Sequence, residues 1–390
     1  MRTYGELFRA PEFTPLFLTS AGLVAGQTVG GLALATLVYD ATGSPLLSAL
    51  AMFGPALAQV AGAATLLSAA DRLPPRAALT GAALLFALGT AVLALPGLPV
   101  QAALAVVLAL GPVASVAGGV RYGLLNELLT RDGYLLGRSV LNMSTGITQI
   151  CGYAAGGALV AALSPRGALL AGAALYLAAA VAARLGLSRR PARAAGRPSP
   201  ARTWRANALL WSGPRRRVYL ALWVPNGLVV GCESLFVPYA PGRAGTLFAC
   251  AALGMLAGDV LAGRFLAPAW RTRLATPLYV LLAAPYLVFA ADPAPALAVA
   301  AVTLASAGYG AGLLMQERLM ALTPEELSGH ALGLHTSGMV AMQGVGAALA
   351  GAVAERLSPG TAMAVMAAAS LAVTAALATT APRQPKPVRR

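Results

Sequence analysis

Lysine is nearly missing from this chain of 390 residues, with Lys386 the single example. Acids are scarce as well, 13 Asp and Glu against 28 Lys and Arg, and histidine occurs twice. Charged residues make up 11% of the sequence, where a soluble domain carries about 25%. So few charges cannot cover a water-facing surface, which excludes a soluble globular domain. Cys151, Cys232 and Cys250 all sit in apolar runs without CxxC or metal-ligand spacing. Neither a disulfide nor a metal site is expected, and no cofactor. There is no G-x-x-x-x-G-K-[ST] stretch, so ATP cannot drive the chain unaided. Two histidines and no acids paired at catalytic spacing argue against a membrane-embedded enzyme. Met1 to Glu12 is polar, and the apolar run behind it is too long for a signal-peptide core.

What the chain has instead is oil: 58% of its residues are hydrophobic. A membrane helix needs about 20 apolar residues, and runs of that size recur throughout. They fall at 13–39, 41–70, 77–120 (two spans, broken at 96–101), 139–165 and 167–183. After a gap they resume at 218–239, 245–263, 274–291, 293–316, 331–354 and 357–381. The expected fold is therefore all-α and integral to a membrane, with twelve helices in two six-helix bundles. The gap between them, Arg184 to Arg217, holds ten arginines and no acid. It reads as a basic linker facing an anionic leaflet, not as a nucleic-acid surface. The division is 1–188 for the first bundle, 189–215 for the linker, 216–382 for the second bundle and 383–390 for a basic tail. With both termini inside, every Lys and Arg except Arg166, Arg243 and Arg356 falls on the cytoplasmic side. The composition, rich in Ala, Gly, Arg and Pro, suggests a bacterial source and hence the inner membrane.

The two halves are related in sequence. Shifted by 194 residues, Gln149–Pro165 falls on Gln343–Pro359 with eight of 17 positions identical. The matches include Gln149/Gln343, Gly152/Gly346 and Gly157/Gly351. LLNELL at 124–129 likewise resembles LMQERL at 314–319. Two parallel six-helix repeats are a transporter architecture.

Such a protein needs a polar cavity and usually an ionisable group in the membrane. Glu233 is the sharpest candidate. It stands among apolar residues about 15 positions into the seventh helix, or roughly 23 Å along it. It could exchange protons, bind a cationic substrate, or be a structural acid beside Arg243. His335 is a second group able to titrate, or a structural histidine. Gln27, beside the spaced glycines Gly22, Gly26 and Gly30, either lines a cavity or bonds between helices. Asn142, Thr145 and Gln149 form one stripe with Gly152 and Gly156, as do Thr336, Gln343 and Gly346 in the repeat. Gln149 and Gln343 are cavity candidates or interhelical glue. Asn226, beside Pro225 and Gly227, lines the cavity or marks a kink.

The loop Ser68-Ala-Ala-Asp71-Arg72-Leu-Pro-Pro-Arg76 resembles the signature loop G-x-x-x-D-R-x-G-R-R of the major facilitator superfamily. Asp71, Arg72 and Arg76 match, while Leu67, Pro74 and Pro75 depart from it. A weaker echo runs Gly258-Asp259-Val-Leu-Ala-Gly263-Arg264. The resemblance covers essentially the whole chain and implies gating roles for Asp71, Arg72, Arg76, Asp259 and Arg264. The stretch from Arg121 to Gly157 is similar to the bacterial drug:proton antiporter-3 group of exporters. The expected function is then a proton-coupled secondary exporter of amphipathic or cationic small molecules, working as a monomer in the lipid bilayer. An importer of a small metabolite on the same fold is the alternative, and a non-transporting sensor the reading from another class.

Overall fold

A computed structural model describes residues 4–66, 72–129, 131–192, 208–211, 213–266, 268–324 and 327–379. Most of the linker, all of the basic tail and Asp71 of the signature loop lie outside the described residues. The first bundle is built from α1 (Phe13–Thr42), α2 (Pro45–Leu66), α3 (Pro75–Leu93), α4 (Val100–Leu128), α5 (Arg131–Leu163) and α6 (Pro165–Gly186). The second begins with α7 (Gly213–Ser234), which continues as a short turn at Phe236–Tyr239. Next, α8 (Ala244–Val260) ends in a π turn at Leu261–Phe265. Then α9 (Pro268–Ala283) tightens into a 3-10 segment at Ala284–Ala291. Two pieces make up α10, Pro295–Ala307 and Gly310–Ala321. The last two are α11 (Ser328–Ala354) and α12 (Pro359–Thr379).

Eleven of these helices are long and apolar enough to cross a membrane, and α2 adds an apolar stretch at Pro45–Val60. The twelve-helix architecture expected from sequence is the one observed, with no strand among the described residues. Proline punctuates it. Pro45, Pro75, Pro165, Pro268, Pro295 and Pro359 each open a helix, where the missing N–H would have no partner anyway. Gly43 closes α1 in the left-handed region (φ 64°), and its N–H bonds Tyr39 O at 2.7 Å.

The sequence repeat reappears as a pair of equivalent crossings. α5 packs on α1 and α8, and α11 packs on α7 and α2. A Cβ added to Gly152 would strike Thr28 of α1, and one on Gly346 the Gly227 carbonyl of α7. One on Gly157 would strike Gly245 of α8, and one on Gly351 would strike Leu46 of α2. Glycines matched at a shift of 194 residues thus sit at matched contacts, within each half and between halves. Small residues there let backbones approach closely, the main source of helix association in lipid. Gly22 and Gly26 serve the same end inside the first bundle, against Ala179 and Tyr176 of α6.

At the end of the molecule that carries the N-terminus, here the terminal end, one carboxylate ties three elements. Glu12 accepts from Ser188 N at 3.0 Å, Ser188 Oγ at 2.8 Å and Arg190 Nη2 at 2.9 Å. Arg190 also pairs with Glu127 of α4 at 3.6 Å. Partial burial pushes the Glu12 carboxyl up, but the Ser188 bonds and the Arg190 charge outweigh it, leaving the pKa below its ordinary 4.5. A lowered carboxyl pKa stabilises the fold above the unfolded value and loses that contribution as pH falls through the folded one. Glu12→Gln is therefore expected to lower the thermal midpoint in detergent by a few degrees at pH 7, about 1 kcal/mol. The gap between variant and parent should close as pH drops below about 4, which a pair of melting curves at each pH checks.

Candidate functional site

Glu233 lies in the last turn of α7 and is 8% exposed. Its Oε1 accepts a hydrogen bond from the Tyr309 hydroxyl at 3.0 Å. Among the described residues no cation pairs with it. Arg243, offered by sequence as a structural partner, is exposed and makes no ion pair with it. An acid in an apolar bundle costs far less when neutral or hydrogen-bonded, and a tyrosine can serve either protonation state.

Local backbone explains why Tyr309 reaches it. α10 breaks after Ala307, and Gly308 presses on the Leu278 carbonyl and Leu282 N–H of α9, where a Cβ would not fit. Gly258 of α8 packs equally tightly on Ala307. Squeezed between α8 and α9, the break turns Tyr309 inward at 9% exposure. Around the pair stand Cys232, Tyr286 and Tyr153. Tyr153 comes from α5 of the other half and stacks on Phe248 of α8 at 4.8 Å. The acid therefore sits where the two halves meet.

A second polar level lies on the same helix. Asn226 is seven positions before Glu233, about 10 Å along α7. Its Oδ1 accepts from Gln343 Nε2 of α11 at 3.2 Å, and the Pro225 carbonyl accepts from Ser370 of α12 at 3.3 Å. Two cavity candidates are thus brought together as a pair. Gln149, the repeat partner of Gln343, is half-buried, and Gln27 is exposed. Asn142 is exposed and accepts from the Tyr122 hydroxyl at 3.5 Å. His335 is buried, and its backbone carbonyl accepts from the Trp223 indole at 3.0 Å. Trp223 precedes Glu233 by ten positions, about 15 Å, so the two titratable candidates do not form one cluster.

The gating candidates are dispersed. Arg76 is half-buried at the start of α3, and Arg72 is exposed before it. Asp259 is half-buried in the last turn of α8, while Arg264 is exposed in the π turn beyond it. Neither Asp259 nor Arg264 makes an ion pair among the described residues.

Three contributors escaped sequence reasoning. Tyr309 and Tyr153 carry no periodic signal in an apolar run. The third is Glu355, at the far end of the molecule. Its Oε1 accepts from Ser44 Oγ and from Leu46 N–H at 3.2 Å. Leu46 is the second residue of α2, so a carboxylate just past the end of α11 caps a helix of the other half, where the helix dipole favours negative charge. Together with the Gly351–Leu46 and Gly157–Gly245 contacts, this latch seals the two halves at the far end.

A sequence profile described as Major Facilitator Superfamily matches residues 16–315. The chain belongs to this superfamily. No curated protein matches it in sequence. Among solved structures it resembles a POT family transporter in complex with a thioalcohol-conjugated peptide, with a TM-score of 0.73 at 11% identity over 94% of this chain and 95% of that one. A bacterial homologue of the human lysosomal transporter Spinster, inward-facing and unoccupied, superposes with a TM-score of 0.67 at 14% identity, covering 94% and 93%. The nucleoside transporter NupG gives 0.71 at 14% identity, covering 93% and 99%. At these identities the likeness shows the fold. Family and structural neighbours alike are transporters, not enzymes.

The latch makes a prediction. On an exposed face its two bonds are worth about 1 kcal/mol, roughly fivefold in a closed-to-open ratio. Spin labels at Ala41 and Leu357, in a chain freed of its native cysteines, would report the far-end distance. Glu355→Ala is expected to add a longer-distance population, while Glu355→Gln, which keeps an acceptor, adds less. An unchanged distribution in both would mean that the latch does not hold the gate.

Proposed function

We propose that this superfamily member is a proton-coupled exporter of amphipathic or cationic small molecules, working by alternating access. One observation carries the reading: a carboxyl buried between the halves has a tyrosine hydroxyl and, among the described residues, no cation as its partner. Such a group can take a proton when the cavity faces one side and release it when the cavity faces the other. The Asn226–Gln343 pair supplies hydrogen-bonding groups at a second level, and the apolar walls favour a lipophilic cargo over a multiply charged one. Gln27, Asn142 and Gln149 complete the proposed cavity. His335 is a secondary coupling group, and Asp71, Arg72, Arg76, Asp259 and Arg264 are proposed to act in gating at the terminal end. The arginine distribution supports cytoplasmic termini in a bacterial inner membrane. The bundles divide as 1–188 and 216–382 around the basic linker, and the working unit is a monomer.

The mechanism follows from where Glu233 sits. In this reading the latch and glycine contacts close the far end and the cavity opens toward the terminal end. Cargo entering from there meets the amide pair first and the acid above it. Rocking of one half on the other separates Glu355 from α2 and opens the far end. Protonation of Glu233 from that side then displaces a cationic cargo and resets the carrier.

The test is dye efflux from energised cells and inverted vesicles, with and without a protonophore. The parent chain is expected to export a cationic dye in a protonophore-sensitive way. Glu233→Gln, present at equal levels in the membrane, should lose at least about 90% of that export, as loss of a coupling group would. Tyr309→Phe should shift the pH optimum while retaining part of the rate. Unaltered export by Glu233→Gln would make the acid structural. Protonophore-sensitive accumulation in place of export would favour an importer.

A further inference from the structure

The second bundle holds a slot away from Glu233 and from the meeting of the halves. It lies between α7, α9, α10 and α12 toward the terminal end, with a volume of about 180 Å³. Arg217 of α7 and Arg318 of α10 line it and are exposed, so they stand at its mouth. Its described lining contains no carboxylate. Deeper in, the wall is apolar apart from a few hydroxyls.

Two of those hydroxyls are stranded. Tyr279 is 5% exposed and Thr374 is 6% exposed, yet neither Tyr279 Oη nor Thr374 Oγ1 has a hydrogen-bond partner among the described residues. Leaving a buried hydroxyl unsatisfied is costly, because it gives up its bonds to water without replacement. A helical threonine normally avoids this by donating back to a carbonyl four residues earlier. Thr19, Thr36 and Thr303 do so here at 2.8, 2.9 and 2.8 Å. Thr374 does not. Both orphans line this slot, whose mouth carries two guanidinium groups.

We propose that this slot binds an anionic amphiphile, its oxyanion at Arg217 and Arg318, its polar oxygens accepting from Tyr279 and Thr374, and its alkyl part along the apolar wall. The slot would hold about six water volumes, enough for a headgroup linkage but not for a whole lipid, so the chains must extend along the helices into the bilayer. Basic pockets between membrane helices on the positively charged side suit acidic lipid headgroups. A fatty-acid carboxylate offers the same chemistry from another source. The inference stands apart from proton coupling, since none of its four polar residues belongs to the proposed transport path.

Native mass spectrometry of the purified full chain, delipidated and then titrated with phosphatidylglycerol, phosphatidylcholine or oleate, tests it. The expectation is retention of phosphatidylglycerol about tenfold over phosphatidylcholine. Arg318→Gln, at an exposed position that leaves folding intact, should lower it about tenfold. Tyr279→Phe and Thr374→Val should each lower it about threefold. Arg243→Gln, at the far end, should change nothing. Oleate retained in place of phosphatidylglycerol, with the same loss in the variants, would assign the slot to a free fatty acid. Equal retention of the two phospholipids, or retention indifferent to Arg318→Gln, would mean annular lipid only and would overturn the proposal.

Discussion

The structure depends on a few places where a glycine lets one helix close directly on its neighbour. In water, apolar side chains drive packing; in lipid, that drive is absent between helices, and close approach must supply the attraction. Gly152 and Gly346 bring α5 and α11 onto α1 and α7 within their own halves. Gly157 and Gly351 bring the same two helices onto α8 and α2 of the opposite halves. Each of these helices therefore belongs to one bundle and bears on the other. Smooth glycine contacts of this kind suit the rocking proposed for transport.

That reading explains why the repeat is strongest where it is. Gln149–Pro165 and Gln343–Pro359 retain eight identities in 17 positions because these helices make the most demanding contacts. The membrane spans were legible for a similar reason: run length and composition are local properties, set by bilayer thickness. The twelve spans and the two bundles follow from them directly. The site was legible only as separate parts. Glu233 announced itself as an acid in oil. Tyr309, 76 positions away, did not, because a tyrosine in an apolar run has no pattern of its own. Its role comes from a break at Gly308 that only the α8 and α9 packing makes intelligible. Asn226 and Gln343 were each visible as polar intrusions, but their pairing across 117 positions is a tertiary fact.

The signature-loop resemblance was of a different kind. It identified the superfamily correctly, yet Asp71 lies outside the described residues and the loop departs from its pattern at Leu67, Pro74 and Pro75. The structure offers another tie at the terminal end. Glu12, Ser188 and Arg190 join the start of α1 to the end of α6, and Arg190 reaches on to Glu127 of α4. This network fastens the first bundle to itself rather than to the second. The ion pairs described among these residues thus rigidify a half, whereas the described contacts between halves include glycine surfaces, a stacked ring pair and a carboxylate at a helix start.

This division bears on how an acid at Glu233 could be useful. A buried carboxyl balanced by a fixed arginine would stay charged throughout a cycle, held by a partner that costs several kcal/mol to remove. A tyrosine hydroxyl binds the ionised form without neutralising it, so the acid remains sensitive to what surrounds it. In the proposed cycle its surroundings would change, because Tyr153 and Phe248 beside it come from opposite halves. Water admitted between those rings would favour the charged form, and closure would favour the neutral one. In that proposed cycle, the motion that moves a cargo would also move the acid between environments that load and unload a proton. Coupling of this sort needs only a carboxyl without a cation, placed at a contact that opens, and the break in α10 that holds Tyr309 against it supplies the one anchor it requires.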